Sequence, residues 1–214
     1  MSFETVNSKV VRAHVGPASP VLARRGAMLG YSGQVTFRPV HGQGRGVGGM
    51  LGAAMSGESN PMMATEGTGQ VLYGYKGLHV TVLELDGNAP LVCEADRLLA
   101  HDANLQTSVQ FLGSGGVKSA ISGAMTGQGL FTTNVHGRGS VALLSHGGAF
   151  PLQLNGTQVG VDPQAYVGHV GQLSVDLAAK VGFRDVVGRG SGEAFQLKIS
   201  GSGTVYVQAS EQKF

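Results

Sequence analysis

The chain has 214 residues, of which 42% are hydrophobic and only 13% are charged, and its formal net charge is +2. This hydrophobic content excludes a disordered chain, and the length suits one large β domain or two small ones. The basic residues are dispersed, with Arg24-Arg25 as their only adjacent pair, whereas a nucleic-acid-binding surface needs them clustered.

The low charge and the single cysteine predict two further properties. Because large neutral surfaces tend to associate, we expect the chain to oligomerise. Cys93 has no intrachain partner, the segment Met1-Ser2-Phe3-Glu4 does not begin a signal peptide, and no apolar stretch reaches the ~20 residues that span a bilayer. These features predict a cytoplasmic protein without a transmembrane segment.

Strand signals dominate along the chain. The run 80–85 ends at Asp86-Gly87 and the run 151–154 ends at Asn155-Gly156, two dipeptides that suit type I′ hairpin turns. The best helical candidate, 47–55, is weakened by its glycines, each of which costs about 1 kcal/mol relative to alanine.

The C-terminal segment alternates in the same manner. Phe195, Leu197 and Ile199 are interleaved with polar residues, and a β-branched and aromatic run follows Gly201-Ser-Gly203. This pattern predicts strand, turn, strand. The chain as a whole is predicted to be all-β, in a sandwich or a barrel-like β-helix.

One motif occurs three times: Gly67-Thr-Gly-Gln-Val71, Gly137-Arg-Gly-Ser-Val141 and Gly201-Ser-Gly-Thr-Val205. With 36 glycines in the chain the Gly-x-Gly triplet alone means little, but the valine and the segments that follow are also repeated. The repetition predicts an architecture of similar units, in which the glycines permit a tight turn and the valine enters the core.

The repeated tails define where the units would begin and end. Leu98-Leu99-Ala100-His101 matches Tyr166-Val167-Gly168-His169, and Met28-Leu29-Gly30-Tyr31 supplies a third copy near the start. We therefore expect one compact domain, 1–214, of three units: about 32–101, 102–169, and 170–214 closed by 1–31. This closure requires the two termini to lie in one sheet.

The C-terminal block Gly190-Ser-Gly-Glu-Ala-Phe-Gln-Leu-Lys-Ile-Ser-Gly-Ser-Gly-Thr-Val-Tyr-Val-Gln208 resembles the closing signature of the altered inheritance of mitochondria protein 24 family. Gly26-Ala27-Met28, Ser56-Gly57-Glu58-Ser59 and Val161-Asp162 agree with it, so the resemblance spans nearly the whole chain. Gly201-Ser-Gly203 departs from the family, which often has proline between the glycines, and so does Asp162-Pro163, where a glycine-containing turn is usual.

The resemblance implies a fold like that of the tryptophan RNA-binding attenuator protein, with three β-sandwich units of the double-stranded β-helix variety in each chain. It also implies a homotrimer that forms a pseudo-ninefold ring. Bacterial members have no settled biochemical activity, and the mitochondrial relative is linked to inner-membrane organisation.

Two glycine-rich segments invite a chemical interpretation that their context does not support. The loop Gly42–Gly49 with Arg45 has neither the Lys-Ser/Thr ending nor the βαβ unit of a phosphate site, and we expect a connecting loop. Gly113-Ser114-Gly115 lacks the spacing of a nucleophile elbow. The methionines beside the first loop are expected to form a packing surface: Met50, Met55, Met62 and Met63.

The histidines and Cys93 do not form a recognisable site in the sequence. No His-x-His pair occurs, as a cupin-like metal site would need, and the equivalent positions of His101 and His169 favour a structural role at a strand end. Cys93 is expected to be a small buried hydrophobe. Four histidines near turns are expected to be solvated: His41, His79, His136 and His146.

The carboxylates are scattered at strand ends and turns, so we expect them to be solvated: Glu58, Glu66, Glu84, Asp86, Glu94, Asp96 and Asp102. The sequence thus predicts no catalytic, cofactor-binding or metal-binding residue and no cofactor. It favours a non-enzymatic, ring-forming scaffold or binding module with a protein partner. Alternatives are an RNA- or small-ligand-binding protein, by fold analogy alone, or a metal-dependent enzyme with a site between units.

Overall fold

The computed structural model of the chain describes residues 2–40, 61–112, 130–179 and 195–212. These segments are all-β, as predicted: they contain one short 3₁₀ turn, Ala95–Arg97, and no α-helix. Their strands are β1 Phe3–Asn7, β2 Val10–Val15, β3 Val21–Arg24, β4 Met28–Val40, β5 Met62–Tyr73, β6 His79–Asp86, β7 Leu91–Glu94, β8 Leu98–Asp102, β9 Gln106–Leu112, β10 Leu130–His136, β11 Arg138–Ser145, β12 Ala149–Val161, β13 Tyr166–Ala179 and β14 Phe195–Gln208.

The described strands form two antiparallel sheets. The larger sheet has the order β1-β2-β5-β3-β8-β11-β6, with β4 on the other side of β5. The smaller sheet has the order β12-β14-β13-β7-β10-β9. The chain passes from the smaller sheet to the larger through the 3₁₀ turn between β7 and β8.

Both predicted hairpins are wrong. Strand β6 ends at Asp86 and pairs with β11, while β7 lies in the other sheet, so Asp86-Gly87 begins a crossing between sheets. Gly156 has a φ of 73° and lies at a bulge inside the continuous strand β12. A positive φ suits a bulge as well as a turn, and the dipeptide alone does not distinguish them.

The alternation predicted for the C-terminal segment is confirmed, since Leu197 and Ile199 are buried and Lys198 is exposed. The turn predicted at Gly201-Ser-Gly203 is not found, because β14 runs unbroken through it. Here a side chain would clash: a Cβ on Gly203 would lie within 3.0 Å of Gly171, so the glycines permit close approach of two strands.

The three motif copies share a positive φ at the first glycine, although Gly67 and Gly201 lie inside continuous strands and Gly137 lies at the bend between β10 and β11. Their first glycines have φ values of 112°, 116° and 122°. Their valines are fully buried and pair with Tyr31, His101 and His169, the last residues of the repeated tails. Next to each pair, the tail strand has a bulge at the same position, namely Leu29, Leu99 and Val167.

The buried side chains form three core clusters, and each contains one motif valine: Val71, Val141 and Val205. The N-terminal strands pack into the first cluster, through Phe3 and Val11 for example, and they lie in the larger sheet, whereas β14 lies in the smaller one. The expected closure of the C-terminal unit by 1–31 within one sheet is therefore wrong. Strand β12 occupies that place, since Leu152 pairs with Val205 as Ala13 pairs with Val71.

Candidate functional site

Two long strands lie at open edges of the sheets. Among the described strands, β4 pairs only with β5, and β12 pairs only with β14. Each has 13 residues, and most positions of both are exposed. Unpaired strand edges present free N–H and C=O groups to any strand of matching shape, so these two edges are the first candidates for a contact with another molecule.

Large apolar side chains are exposed at the beginning of β4. Met28 is 42% exposed, Leu29 58% and Tyr31 56%. Phe37 packs edge-on against Tyr31, with ring centroids 5.3 Å apart. Apolar side chains grouped in this way on a sheet edge are typical of an interaction surface.

The equivalent side chains in the other two repeated tails are buried. Leu99 and Val167, which occupy the bulge position of Leu29, are both 0% exposed. Moreover, Leu99 belongs to the first core cluster and Val167 to the second, so each bulged residue inserts into the cluster that precedes it in the chain. Among the residues that the structure describes, no core cluster precedes Leu29 in this way.

A short strand covers each of the two buried tails. Strand β3 pairs with β8 in the register Val21–Asp102, Leu22–His101 and Ala23–Ala100. Strand β7 pairs with β13 in the register Leu91–Val170, Val92–His169 and Cys93–Gly168. We call the contact of β3 with β8 the first join and the contact of β7 with β13 the second join. The second register follows from the first when each residue is moved by the spacing of the repeated motif, so the two joins have the same construction.

Polar groups complete the first join. The Arg24 guanidinium is buried, its Nη2 donates to the Asp96 carbonyl oxygen at 2.9 Å, and it lies 3.7 Å from the Asp96 carboxylate. It also stands over the Tyr75 ring, 4.8 Å from the centroid. The turn that leads into β8 thus binds a cation at the end of β3.

The second join contains a fully buried arginine. Arg97 donates from Nε to the Glu94 carboxylate at 2.9 Å, from Nη1 to Gln208 Oε1 at 2.7 Å, and from Nη2 to the Gln164 carbonyl at 3.4 Å. The Gln208 amide nitrogen donates to carbonyls of Gln164, Ser210 and Gln212, which fastens the C-terminal residues to the join. These partners satisfy charges that would otherwise be costly to bury.

A shallow, open depression of about 440 Å³ lies beside Gln208, at the end of β14. Its rim carries two carboxylates, Asp162 and Glu211. Asp162 holds the local turn, because its Oδ1 accepts from the Gln164 backbone nitrogen at 2.7 Å. By the repeat spacing, Asp162 stands where Arg24 and Glu94 stand in the two internal joins.

The structure places His101 and His169 as buried groups of the joins. They are 1% and 5% exposed, and burial lowers the pKa of both, that of His169 to about 4. His169 Nδ1 lies 2.7 Å from the Tyr166 hydroxyl. Among the other predicted histidines, His136 is exposed, but His79 and His146 are partly buried.

Cys93 is buried as predicted, with 0% exposure. Burial raises the pKa of its thiol to about 12, so it is not a thiolate at neutral pH. Across the described part of the chain, no three metal-ligating side chains lie close enough to hold an ion.

The prediction that the carboxylates are solvated is wrong for Glu94, which is buried against Arg97. The spacing of three residues between them was the available sequence signal. Glu84 and Asp86 are exposed as expected, whereas Glu66, Asp96 and Asp102 are partly buried.

Met62 packs against the second core cluster, as expected of a methionine that forms a packing surface. Several predictions lie outside the described residues: those for Gly42–Gly49 with Arg45, for Gly113-Ser114-Gly115, and for His41, Met50, Met55 and Glu58.

In the segments that the structure describes, no helix is long and apolar enough to span a membrane. Sequence reasoning found the tail Met28-Leu29-Gly30-Tyr31 but missed its role as an exposed surface, because it placed this tail inside a closed third unit. The open edge of β12 was missed because nothing in its composition marks it.

The comparisons with known proteins give a family and a fold. The chain is similar in structure to protein SPYM3_0169 from Streptococcus pyogenes, with a TM-score of 0.73 and 22% sequence identity over 97% of this chain and 92% of that one. No curated protein matches the chain. The model of the mitochondrial biogenesis AIM24 family matches residues 3–210, and the chain therefore belongs to this family.

Proposed function

We propose that this protein is a non-enzymatic scaffold that assembles head to tail into a ring of three copies. Each copy contributes three consecutive attenuator-type units, ending near Tyr73, Leu143 and Gln208. The ring presents its rim to partner proteins.

One observation carries the proposal. Leu29 is 58% exposed, whereas the residues equivalent to it are completely buried by the preceding repeat. Burying a leucine side chain contributes about 1.5–3 kcal/mol, so an additional preceding repeat would stabilise the assembly. A second copy of the chain supplies that repeat. The contact is heterologous, and it produces a ring when the rotation closes.

The non-enzymatic part of the proposal is supported by what the buried polar groups do. Arg24, Arg97 and Gln208 bind backbone carbonyls and carboxylates at the joins, as structural groups do. The neutral His169 and the protonated Cys93 lie inside the packed cores. Among the described residues, no three metal-ligating side chains lie together, and no contact favours RNA binding.

Light scattering of the purified chain at micromolar concentration tests the proposal. We expect a mass of about three times the chain's 21.9 kDa. Leu29→Asp should lower the mass to that of one chain, since it places a charge where an apolar core is expected. Val109→Asp is the matched control: Val109 is 62% exposed on β9, which among the described strands pairs with β10 alone, and its variant should keep the wild-type mass. A wild-type mass near 21.9 kDa contradicts the ring.

A further inference from the structure

The two internal joins indicate which strands of two copies would pair, and in which register. Residues 159–161 of β12, which pair with no described strand other than β14, are equivalent to β3 and to β7. Val159 pairs with Ile199 and Val161 with Leu197, just as Leu91 pairs with Val135 and Cys93 with Thr133. In the two internal joins, the opposite edge of this short strand holds the tail of the following repeat.

Resting on the proposed ring, we propose that Val159–Val161 of one copy pairs antiparallel with Gly30–Ser32 of the next. The register is Val159 opposite Ser32, Gly160 opposite Tyr31, and Val161 opposite Gly30. This register is obtained when each residue pair of the second join is replaced by the equivalent residues of the third short strand and of the first repeated tail.

Side-chain volumes agree with this register. In the internal joins the central pairs are Leu22 with His101 and Val92 with His169. In the proposed join the residue opposite the large Tyr31 ring is Gly160, which has no side chain. The larger partner thus faces the smaller one, which fits the close packing of buried interfaces.

The same superposition places the turn Arg24–Ala27 of the second copy in the depression at the end of the third repeat. In the internal joins the turn residues Asp96 and Gln164 occupy this place. Arg25 is exposed, while Asp162 and Glu211 give the depression two carboxylates. A cation on the turn facing two anions on the rim favours this partner and this orientation.

Leu29 then inserts into the third core cluster of the neighbouring copy, as Leu99 and Val167 insert into the first and second clusters. The third cluster, which includes Leu154, Val161 and Val205, thereby receives the residue that the other two already have.

Cysteine cross-linking between two single variants tests the register. Ser32→Cys and Val159→Cys are purified separately, checked for wild-type thermal unfolding, mixed, and oxidised under mild conditions. Directly opposed residues on paired strands have Cβ atoms ~4.5–5.5 Å apart, close to disulfide geometry. The native Cys93 does not interfere, because it is buried and protonated.

We expect the mixture to give at least about tenfold more cross-linked dimer than Gln34→Cys mixed with Val159→Cys, which reports a slip of two residues. Ser32→Cys or Val159→Cys alone should give little product. Equal yields from both mixtures, or no product from material that light scattering shows to be trimeric, overturn the register and leave the ring standing. A wild-type mass of one chain overturns the ring itself and the register with it.

Discussion

At the scale of single residues, the joins between repeats depend on buried charges that have well-placed partners. Arg97 is fully buried and reaches Glu94, Gln208 and Gln164, which belong to different parts of the chain. Such a network contributes less by Coulomb attraction than by the cost of breaking it.

Arg97→Met should therefore destabilise the fold by about 3–5 kcal/mol, because the Glu94 carboxylate loses its 2.9 Å partner in a buried site. Urea unfolding followed by circular dichroism measures this. Arg12→Met is the matched control: it removes an ion pair with Glu4 at the surface and should cost less than about 1 kcal/mol. Similar losses for the two variants would show that Arg97 has no special role.

His169 gives the fold a pH dependence whose sign is fixed by burial. Its pKa in the folded state is about 4, below the ~6.5 of an unfolded histidine, so the unfolded chain binds more protons between these values. Stability is complete above pH 6.5 and falls as the pH drops towards 4. The loss from this residue amounts to about 3 kcal/mol at pH 4.

Denaturant titrations from pH 8 to pH 4 measure this dependence. His169→Gln, with its stability taken relative to its own value at pH 8, should show a shallower decline than the wild type. Because burial also lowers the pKa of His101, some decline should persist in the variant. A decline as steep as that of the wild type would contradict the assignment.

At the scale of elements, the repeated glycines set how closely the strands approach. The first motif glycine has a positive φ in every copy, and a Cβ on Gly67 or Gly201 would overlap the carbonyl oxygen of Gln34 or Gln172. The sequence predicted a tight turn at each motif, and Gly137 does lie at the bend between β10 and β11. The prediction is wrong for Gly67 and Gly201, which lie inside continuous strands, because a glycine that permits a turn equally permits two strands to meet without a turn.

Gly67→Ala should cost at least about 2 kcal/mol, from the strained φ and the clash with the Gln34 carbonyl together. Gly156→Ala separates the two effects, since Gly156 has a φ of 73° but open space around it, and should cost about 1 kcal/mol. Thermal unfolding of both variants gives the comparison. Equal costs would mean that the close approach at Gly67 contributes nothing.

Much of the arrangement of strands could be predicted from the sequence. The three motif valines were predicted to be buried, and all are. The N-terminal strands were assigned to the wrong repeat, because periodic spacing gives the length of a repeat but not the residue at which it begins. Only the strand partners decide that, and the partner of Val205 is Leu152 in β12 rather than a residue of 1–31.

At the scale of the whole molecule, the described residues contain two joins and leave half of such a join without a partner at each end of the series. Residues 28–31, with exposed apolar side chains, form one half, and the unpaired edge 159–161 with the acidic depression forms the other. This site could not be predicted from the sequence, since the exposure of Leu29 and the burial of Leu99 depend on which core cluster precedes each residue. A head-to-tail contact covers both halves at once and protects two sheet edges from indiscriminate pairing.

Hydroxyl-radical footprinting of the native protein at micromolar concentration tests the central claim, that another copy covers the first repeated tail. We expect Leu29 and Tyr31 to be labelled as slowly as their buried equivalents, while Val109, which is 62% exposed, is labelled rapidly. Labelling of Leu29 and Tyr31 as fast as expected from their exposures of 58% and 56% in the single chain would contradict it.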